Sequence, residues 1–600
     1  MKYLRRRAAC VIVAAFVTAG SWIGAAQQAR RLDESALRNA WRTGDWVSHG
    51  NDPGEKRYSP LDQITASNVS RLGLAWALVV GEGGGNQEAT PLVWNGVLYS
   101  ITNWSIVFAV DARTGKELWR YDPKVDRAFN TPGANRGICC GVVNRGVALH
   151  DGKVLAPVID GRMIALDAMS GNLLWSTRLL PEDSSGYSIT MAPRVAKDKV
   201  IVGVAGGEFT PHRGFFSALD VKTGREQWRF YTVPGDPSKP VENPALTAAA
   251  KTWAGEWWRY GGGGSLWDGL SYDPDANLMY VGTGNGVPWP QILRGDQGYD
   301  NLYVSSILAV NPDNGSLKWY YQAVPGDSWD FDNVQQMILT DLQINGRARK
   351  VLVQASKNGF VHVLDRITGE FLSATPIAPV NWTSGHDAAG RPMINKEAYY
   401  TTTQPAVISP SQGGATNWAA KAFSPKTGLA YIPVTGFSSR TYVAIPFDLV
   451  PGRSIQDNGT PRGGRMPVQV TAAPRTPPYI GPSRELTGGY LIAFDPVTRA
   501  ERWRIEGGGG SGGGALATAG NLVFQSINDG RVRALDAGSG KVMWEVQTGQ
   551  RGMGPPITYR VDGRQHVSVM GGQGGRGGAR PMVYAFVLDG KTPMPSAAEQ

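Results

Sequence analysis

Two adjacent cysteines are the first residues in this sequence with unusual chemistry. The chain contains three cysteines, Cys10, Cys139 and Cys140. Consecutive Cα atoms lie only about 3.8 Å apart, whereas an ordinary disulfide spans about 4.4–6.8 Å. A bond between Cys139 and Cys140 would therefore close a small, strained ring. The pair is either two reduced neighbouring thiols or a rigid, flat covalent ring.

A pair of aspartates two residues apart is the second such feature. Asp330 and Asp332 lie in the sequence Trp-Asp-Phe-Asp. In an extended segment, residues i and i+2 point to the same side, so both carboxylates can converge on one ion. Carboxylate oxygens are ligands for hard cations. Alternatively, Asp332 pairs with a nearby Lys or Arg.

Other common cofactor and metal motifs are missing from the sequence. The 600 residues contain no Cys-x-x-Cys-His, the attachment motif of c-type haem. The histidines are scattered and share no spacing typical of zinc ligands. We therefore expect neither a covalent haem nor a zinc site in this chain. The histidines are His49, His150, His212, His362, His386 and His566.

The composition indicates a folded, turn-rich protein. Glycine makes up 77 of 600 residues, nearly twice the usual ~7%. The 20 Trp, 21 Tyr and 16 Phe argue against intrinsic disorder. The formal charge is +10, and four of the basic residues belong to the first 26. Because no Lys/Arg run resembles a nucleic-acid-binding arm, we expect no nucleic-acid partner.

The N-terminus is typical of a secretory signal. Residues 2–7 form a basic region with four Lys or Arg, residues 8–19 form an apolar stretch, and residues 24–26 are small enough for cleavage. The apolar stretch is too short to span a bilayer comfortably, although an uncleaved anchor is the alternative. We predict a signal peptide over residues 1–26 and export to a bacterial periplasm. No later stretch of 18 apolar residues predicts a membrane span.

One motif recurs along the chain, Ala-x-Asp-x-x-(Thr/Ser)-Gly-x-x-x-Trp. Asp-x-x-Thr-Gly is typical of a tight turn in which glycine adopts a positive φ, so each copy predicts a β-hairpin whose second strand carries the tryptophan. Such a tryptophan can pack flat against the neighbouring unit. Complete or partial copies contain Asp111, Asp167, Asp220, Asn311, Asp365, Asp495 and Asp536.

The spacing of the repeat predicts propeller blades. Several copies are 53 to 56 residues apart, enough for four strands each. Seven copies, with residues 423–428 interpreted as an eroded eighth, predict an all-β protein that forms an eight-bladed β-propeller over residues 27–590. Residues 451–482 are expected to form an inserted loop, and residues 591–600 a flexible tail.

The sequence resembles the pyrroloquinoline quinone (PQQ)-dependent alcohol dehydrogenases, the methanol/ethanol dehydrogenase family, in a haem-free form. The resemblance extends from Trp46 to about Leu588. Its most specific parts are Cys139-Cys140 followed by Asn144-Arg145, and the glycine-rich segment that ends at Trp267. The tryptophan repeat matches the family's docking motif but also occurs in non-catalytic propellers.

The resemblance implies a cofactor site built from several segments. It implies a disulfide between Cys139 and Cys140 that caps one face of PQQ, with Trp267 stacked on the other. Arg145 would bind a PQQ carboxylate, and Lys357 would lie beside the reactive carbonyl oxygens. The other cofactor contacts implied are Thr190, Gly206, Gly207, Ser265 and Asn417.

Some positions depart from the family pattern. Ala205 replaces a common serine contact, and Ser511-Gly512 stand where relatives often have Trp-Asn. These differences weaken the comparison at the roof of the substrate cavity and leave the choice of alcohol open.

The resemblance also implies a metal ion held by Glu208, Asn285 and Asp330, with Asp330 as the catalytic base. In lanthanide-using relatives the position of Asp332 is also Asp, whereas calcium-type relatives generally have an uncharged residue there. A further carboxylate suits a trivalent ion better than a divalent one. We therefore predict a lanthanide, otherwise Ca²⁺, with Asp332 as a further metal ligand.

The predicted function is oxidation of a small alcohol to an aldehyde in the periplasm. Electrons would pass to a separate c-type cytochrome or similar acceptor, and the resemblance is compatible with a homodimer. One alternative is a non-catalytic propeller of the outer-membrane assembly type, which would need no quinone site. A second is a related PQQ enzyme for sugars or polyols; the adjacent cysteines argue against its sugar branch.

Overall fold

Strands dominate the computed structural model, which describes residues 32–127, 141–181, 186–207, 211–449, 459–461, 467, 470–574 and 579–596. The α-helices are α1 (Glu34–Asn39), α2 (Pro244–Ala250) and α3 (Gln291–Arg294). Short 3-10 helices are Ala40–Thr43, Val69–Arg71, Asn103–Ser105, Trp257–Tyr260 and Lys396–Ala398. In this part of the chain, no helix is long and apolar enough to cross a membrane.

The strands of the first half are β1 (Tyr58–Ser59), β2 (Leu72–Val79), β3 (Leu92–Trp94), β4 (Val97–Ile101), β5 (Val107–Asp111), β6 (Glu117–Tyr121), β7 (Ala148–His150), β8 (Lys153–Pro157), β9 (Arg162–Asp167), β10 (Leu173–Arg178), β11 (Arg194–Ala196), β12 (Lys199–Gly203), β13 (Phe215–Asp220), β14 (Glu226–Tyr231), β15 (Leu270–Asp273), β16 (Leu278–Gly282), β17 (Ser306–Val310) and β18 (Leu317–Gln322).

Those of the second half are β19 (Met337–Ile344), β20 (Arg347–Ala355), β21 (Phe360–Asp365), β22 (Phe371–Pro376), β23 (Thr383–His386), β24 (Pro392–Ile394), β25 (Ala406–Ile408), β26 (Ala422–Ser424), β27 (Leu429–Thr435), β28 (Arg440–Tyr442), β29 (Gly489–Asp495), β30 (Ala500–Glu506), β31 (Gly514–Thr518), β32 (Leu522–Ser526), β33 (Arg531–Asp536), β34 (Val542–Gln547), β35 (Ile557–Val561), β36 (Arg564–Gly571) and β37 (Met582–Leu588).

These strands form eight antiparallel blades, which confirms the predicted eight-bladed propeller. Blades 1 to 5 are β3–β6, β7–β10, β11–β14, β15–β18 and β19–β22; blade 6 is β26, β27, β29 and β30; blade 7 is β31–β34; blade 8 is β35–β37 with β2. Residues 451–482, predicted as an inserted loop, fall in the sequence between β27 and β29, the second and third strands of blade 6. Residues 451–458, 462–466 and 468–469 of this segment lie outside the described residues. Burial follows strand position: β5 is almost entirely buried, whereas β6 alternates half-buried and exposed residues.

Tryptophans join neighbouring blades as the repeat predicts. Trp119 on the outer strand of blade 1 donates from Nε1 to the Ala168 carbonyl of blade 2 at 3.0 Å. The turn glycine of blade 2, Gly171, has φ +73°, and a Cβ there would lie 2.7 Å from the Trp119 ring. Trp175 makes the same contacts with the Val221 carbonyl of blade 3. Each repeat thus carries half of an interface between blades.

The N- and C-terminal strands close the ring together. β2 pairs with β37 along seven residues from Leu72 to Val79, so the N-terminal strand is the outer strand of the last blade. Trp76 on β2 donates to the Ala112 carbonyl in blade 1, in the place of a repeat tryptophan. In the predicted tail, Thr592 donates from its backbone and hydroxyl to the Leu74 and Ala75 carbonyls.

The interpretation of residues 423–428 as the eroded eighth repeat is wrong. This segment is the turn between β26 and β27 in blade 6, the blade that already contains the Asp495 copy. Blade 8 has no repeat motif because its outer strand comes from the other end of the chain, and no hairpin turn connects the two strands.

A segment near the N-terminus passes through the centre of the ring. Arg57 is fully buried and donates to the carbonyls of His49, Ala515 and Pro556 and to the Thr90 hydroxyl. These acceptors bring the segment together with blades 1, 7 and 8.

The same segment also contacts blades 3 and 5. The Glu55 carboxylate forms a bidentate ion pair with Arg194, at 2.7 and 3.1 Å, at the start of blade 3. The Glu55 carbonyl accepts from Gln336, beside blade 5. Residues 49–57, which we call the axial plug, therefore bind the inner ends of several blades.

Candidate active site

A cleft of about 250 Å³ is lined by segments next to the strands of blades 1 to 7. It brings together eight of the residues predicted from sequence: Arg145, Thr190, Gly206, Trp267, Asp330, Asp332, Lys357 and Asn417. Because these residues span more than 270 positions of sequence, only closure of the ring unites them. The remaining wall is Glu88, Val143, Ala205, Trp289, Gln412, Trp418 and Ser511.

One end of the cleft is organised around Arg145. Its Nη1 donates to the Thr190 hydroxyl at 2.9 Å and to the Trp267 carbonyl at 3.0 Å. Its Nη2 lies 2.7 Å from the Glu88 carboxylate, and its guanidinium carbon lies 4.8 Å from the centre of the Trp267 ring. The Nε is buried without a hydrogen-bond partner in the described part of the chain.

Glu88 is a buried acid that the sequence analysis missed. Burial raises the pKa of its carboxyl to about 7, although the Arg145 guanidinium acts in the opposite direction. The only sequence signal was its position between the glycine tract of residues 81–85 and β3, the first strand of a blade.

The opposite end of the cleft contains Asp330, whose loop is held by its neighbours. Asp330 has a left-handed backbone, φ +66°, which is uncommon for a residue other than glycine. Tyr400 and Tyr442 donate to the carbonyls of Ser328 and Trp329 at 2.5 and 3.0 Å. The hydroxyls of two buried side chains thus fix the backbone just before Asp330.

Lys357 connects the two aspartates. Its ammonium lies 3.1 Å from an Asp330 carboxylate oxygen and 2.8 Å from an Asp332 carboxylate oxygen. Burial lowers the pKa of Lys357, but the two carboxylates outweigh it and raise the pKa above its ordinary value. The lysine therefore carries a positive charge in this site. Asp332 therefore pairs with a lysine, which is the alternative to a shared metal ion given above.

A hydrogen bond joins Asn285 to Asp332 beside this part of the cleft. The Asn285 backbone N–H donates to Asp332 Oδ1 at 2.9 Å, while Asp332 Oδ2 accepts from Lys357. The side-chain oxygen of Asn285 is buried and has no hydrogen-bond partner among the described residues. It is therefore available as an oxygen ligand for a cation.

The other predicted site residues either do not line the cleft or lie outside the described residues. Ser265 is buried, and its carbonyl accepts from Gly284. A Cβ on Gly207 would lie 3.3 Å from the Ser265 Cβ. Cys139, Cys140 and Glu208 lie outside the described residues. Within them, no three His, Cys, Asp or Glu side chains form a metal site.

The side chains at the Arg145 end of the cleft fit a flat molecule with an anionic edge. Trp267 is half-buried and lines the cleft. Arg145 and Lys357 provide cations at its two ends, and Arg145 has an unused buried donor. Gly206 also allows a close approach of two backbone segments, because a Cβ there would lie 1.9 Å from the Gly186 carbonyl oxygen.

Comparison with known proteins identifies relatives along nearly the whole chain. Residues 46–384 and 388–567 match the family model described as "PQQ: Glucose/ethanol/alcohol dehydrogenase, beta-propeller domain". The chain is 44% identical over 610 aligned residues to a quinohemoprotein alcohol dehydrogenase of Comamonas testosteroni, covering 99% of this chain and 83% of that protein. A 1-butanol dehydrogenase (cytochrome c) of Thauera butanivorans is 41% identical, with coverage of 93% and 80%.

Solved structures agree with these matches. The crystal structure of the Comamonas testosteroni enzyme superposes with a TM-score of 0.85 at 42% identity, covering 94% of this chain and 84% of that chain. A europium-containing methanol dehydrogenase superposes with a TM-score of 0.79 at 31% identity, covering 92% and 100%.

Proposed function

Because the chain belongs to the family of PQQ-dependent alcohol dehydrogenases, we propose that it oxidises alcohols to aldehydes in a cleft formed by blades 1 to 7. Membership of this family makes the chain an oxidoreductase and excludes the non-catalytic propeller considered above. The observation that carries this proposal is the convergence of Arg145, Trp267, Asp330 and Lys357 on one cleft. Together they combine a cationic edge, a flat aromatic wall and a carboxylate base.

Arg145 and Trp267 would hold the cofactor at one end. When bound, PQQ supplies the quinone that accepts the two electrons of the alcohol. Arg145 is rigid because Thr190, Glu88 and the Trp267 carbonyl fix its guanidinium. Gly206, Gly207, Ser265 and Asn417 would complete the contacts, and a Cys139–Cys140 disulfide would cap the face opposite Trp267.

Asp330 would take the hydroxyl proton of the alcohol as general base. Its loop is held by Tyr400 and Tyr442, so its carboxylate is presented to the cleft without much freedom. The Lys357 ammonium beside it provides a fixed positive charge, 3.1 Å from the carboxylate.

We further propose a metal ion bound by Glu208, Asn285, Asp330 and Asp332. The unpartnered buried oxygen of Asn285 supports this ligand set, and the ion would add Lewis acidity to the site. Asp332 favours a lanthanide, with Ca²⁺ as the fallback, and a relative of 31% identity is a europium-containing methanol dehydrogenase. Coordination by Asp332 Oδ2 would require Lys357 to release that oxygen.

Electrons would leave to a separate c-type cytochrome or similar acceptor. The absence of Cys-x-x-Cys-His from the 600 residues supports a haem-free chain, although the Comamonas testosteroni relative is a quinohemoprotein. Residues 1–26 would direct export to the periplasm, residues 27–590 would form the propeller and residues 591–600 the tail. We also propose that the protein forms a homodimer.

The experiment is dye-linked alcohol oxidation by apoprotein reconstituted with PQQ and either La³⁺ or Ca²⁺, for wild type and Asp332→Ala. We expect activity with primary alcohols, higher with La³⁺, and loss of the La³⁺ activity in the variant. Terbium luminescence sensitised by the tryptophans of the cleft measures ion binding without turnover. Inactivity over a broad alcohol panel would contradict the function. The metal assignment alone would be contradicted by strong Ca²⁺ activity without La³⁺ activity, together with an Asp332→Ala variant that is as active as wild type.

A further inference from the structure

Gln412 is a half-buried side chain in the cleft whose amide oxygen is buried and unpaired. It lies in the loop between β25 and β26 and lines the cleft together with Asp330, Trp289 and Trp418. The amide oxygen has no hydrogen-bond partner in the described part of the chain. A buried acceptor left without a partner is destabilising, so this arrangement indicates a hydrogen-bond donor that the described residues do not provide.

Gln412 lines the same cleft as the proposed base, Asp330. The backbone next to Asp330 is fixed, because the Tyr442 hydroxyl donates to the Trp329 carbonyl at 3.0 Å. A molecule that reaches the Asp330 carboxylate therefore enters the space that the Gln412 side chain also lines.

The neighbouring side chains determine which group Gln412 can bind. The carboxylates of Asp330 and Asp332 disfavour a second anionic group on the substrate. A primary amide both donates and accepts, as a hydroxyl group does. The indole rings of Trp289 and Trp418 provide apolar walls for a short carbon chain, and Ser511, which is exposed, leaves the outer end of the cleft open.

We propose that Gln412 is a specificity-determining residue that binds a second hydroxyl group of the substrate. The site then favours diols and other hydroxylated alcohols over monoalcohols of the same carbon number. This inference rests on the proposed alcohol oxidation and specifies its substrate class. The reacting hydroxyl lies at Asp330 while the second one replaces the missing partner of the amide.

The test compares 1-butanol with 1,2-, 1,3- and 1,4-butanediol on reconstituted enzyme. We expect wild type to prefer at least one diol. Gln412→Leu, which has a similar volume and no hydrogen-bonding group, should lower kcat/KM for that diol about tenfold, the effect of one neutral hydrogen bond, and leave 1-butanol within about twofold. Gln227→Leu, at an exposed position on β14, is the matched control and should change neither.

A second measurement separates substrate binding from cofactor binding. PQQ titration, followed by tryptophan fluorescence, should give the same affinity for wild type and Gln412→Leu. A weaker PQQ affinity, or equal losses for butanol and diol, would overturn the inference by assigning Gln412 to the cofactor or to the fold. Wild type that oxidises no alcohol would refute the proposed function instead, whereas wild type active on butanol without any diol preference refutes only the role of Gln412.

Discussion

Glu88 links the cleft to the pH dependence of stability. Its pKa is raised by burial from 4.5 to about 7, so the folded protein binds more protons than the unfolded chain between these values. The stability that this proton contributes is fully present below about pH 4.5 and is lost as the pH rises through about 7. We predict that the free energy of unfolding of the apoprotein falls, relative to Glu88→Gln, by on the order of 1–3 kcal/mol between pH 5 and 8.

Urea unfolding of both proteins at several pH values measures this difference. Glu256→Gln is the control, because Glu256 is exposed and pairs only with Arg259 on the surface; its difference from wild type should not vary with pH over this range. A pH-independent difference for Glu88→Gln would mean that Glu88 is ionised in the folded protein throughout.

Single site residues could be predicted from the sequence only where a local motif surrounds them. Arg145, Trp267 and Asp330 lie in segments recognisable by family resemblance, and the structure brings them into one cleft. Glu88 and Gln412 have no such motif around them, and their importance follows from their position in a cleft that blades 1 to 7 form together. No pattern within either segment reports that space.

The turn glycines and tryptophans form the elements that join the blades. Gly171 has φ +73°, and a Cβ there would overlap the Trp119 ring at 2.7 Å. Gly428 has nearly the same φ, +71°, but nothing lies within 4 Å of its Cβ position. We predict that Gly428→Ala lowers the free energy of unfolding by about 1–2 kcal/mol, the cost of a left-handed backbone, and that Gly171→Ala costs about 1–3 kcal/mol more from overpacking.

The comparison of urea midpoints isolates the tryptophan contact, since both variants carry the same backbone strain. Equal losses would show that Trp119 moves aside at little cost and that the docking contact contributes little.

The repeat motif was visible in the sequence because it is local. Its allocation to blades failed at residues 423–428, because a turn between any two strands can have a similar sequence.

At the scale of the whole molecule, the ring depends on contacts between distant parts of the chain. The repeat and its spacing predicted eight blades, and the pairing of β2 with β37 closes the ring. The axial plug could not be predicted, because residues 49–57 contain no motif for a central position. Its role depends on acceptors such as the Ala515 and Pro556 carbonyls, more than 450 positions away.

Arg57 makes the plug testable as a structural unit. Its guanidinium donates to the His49, Ala515 and Pro556 carbonyls, and burial lowers its pKa to about 9. Arg57→Met retains much of the side-chain volume but leaves these buried acceptors unpaired, so we predict a loss of about 3–5 kcal/mol in unfolding free energy. Arg57→Lys should restore little, since one ammonium on a flexible stem cannot reproduce the planar set of donors.

The loss of unfolding free energy should be specific to the contacts that Arg57 makes with the carbonyls of blades 7 and 8. Arg113→Met is the control, because Arg113 is exposed and its ion pairs with Asp111 and Asp562 lie on the surface, where such pairs contribute at most about 1 kcal/mol. Limited proteolysis should cut the Arg57→Met protein within residues 49–57 before any blade is cut, since those residues have lost their attachment to blades 7 and 8. If the plug stays protected and the urea midpoint matches that of Arg113→Met, the blades hold the ring closed by their tryptophan contacts and the β2–β37 pairing alone.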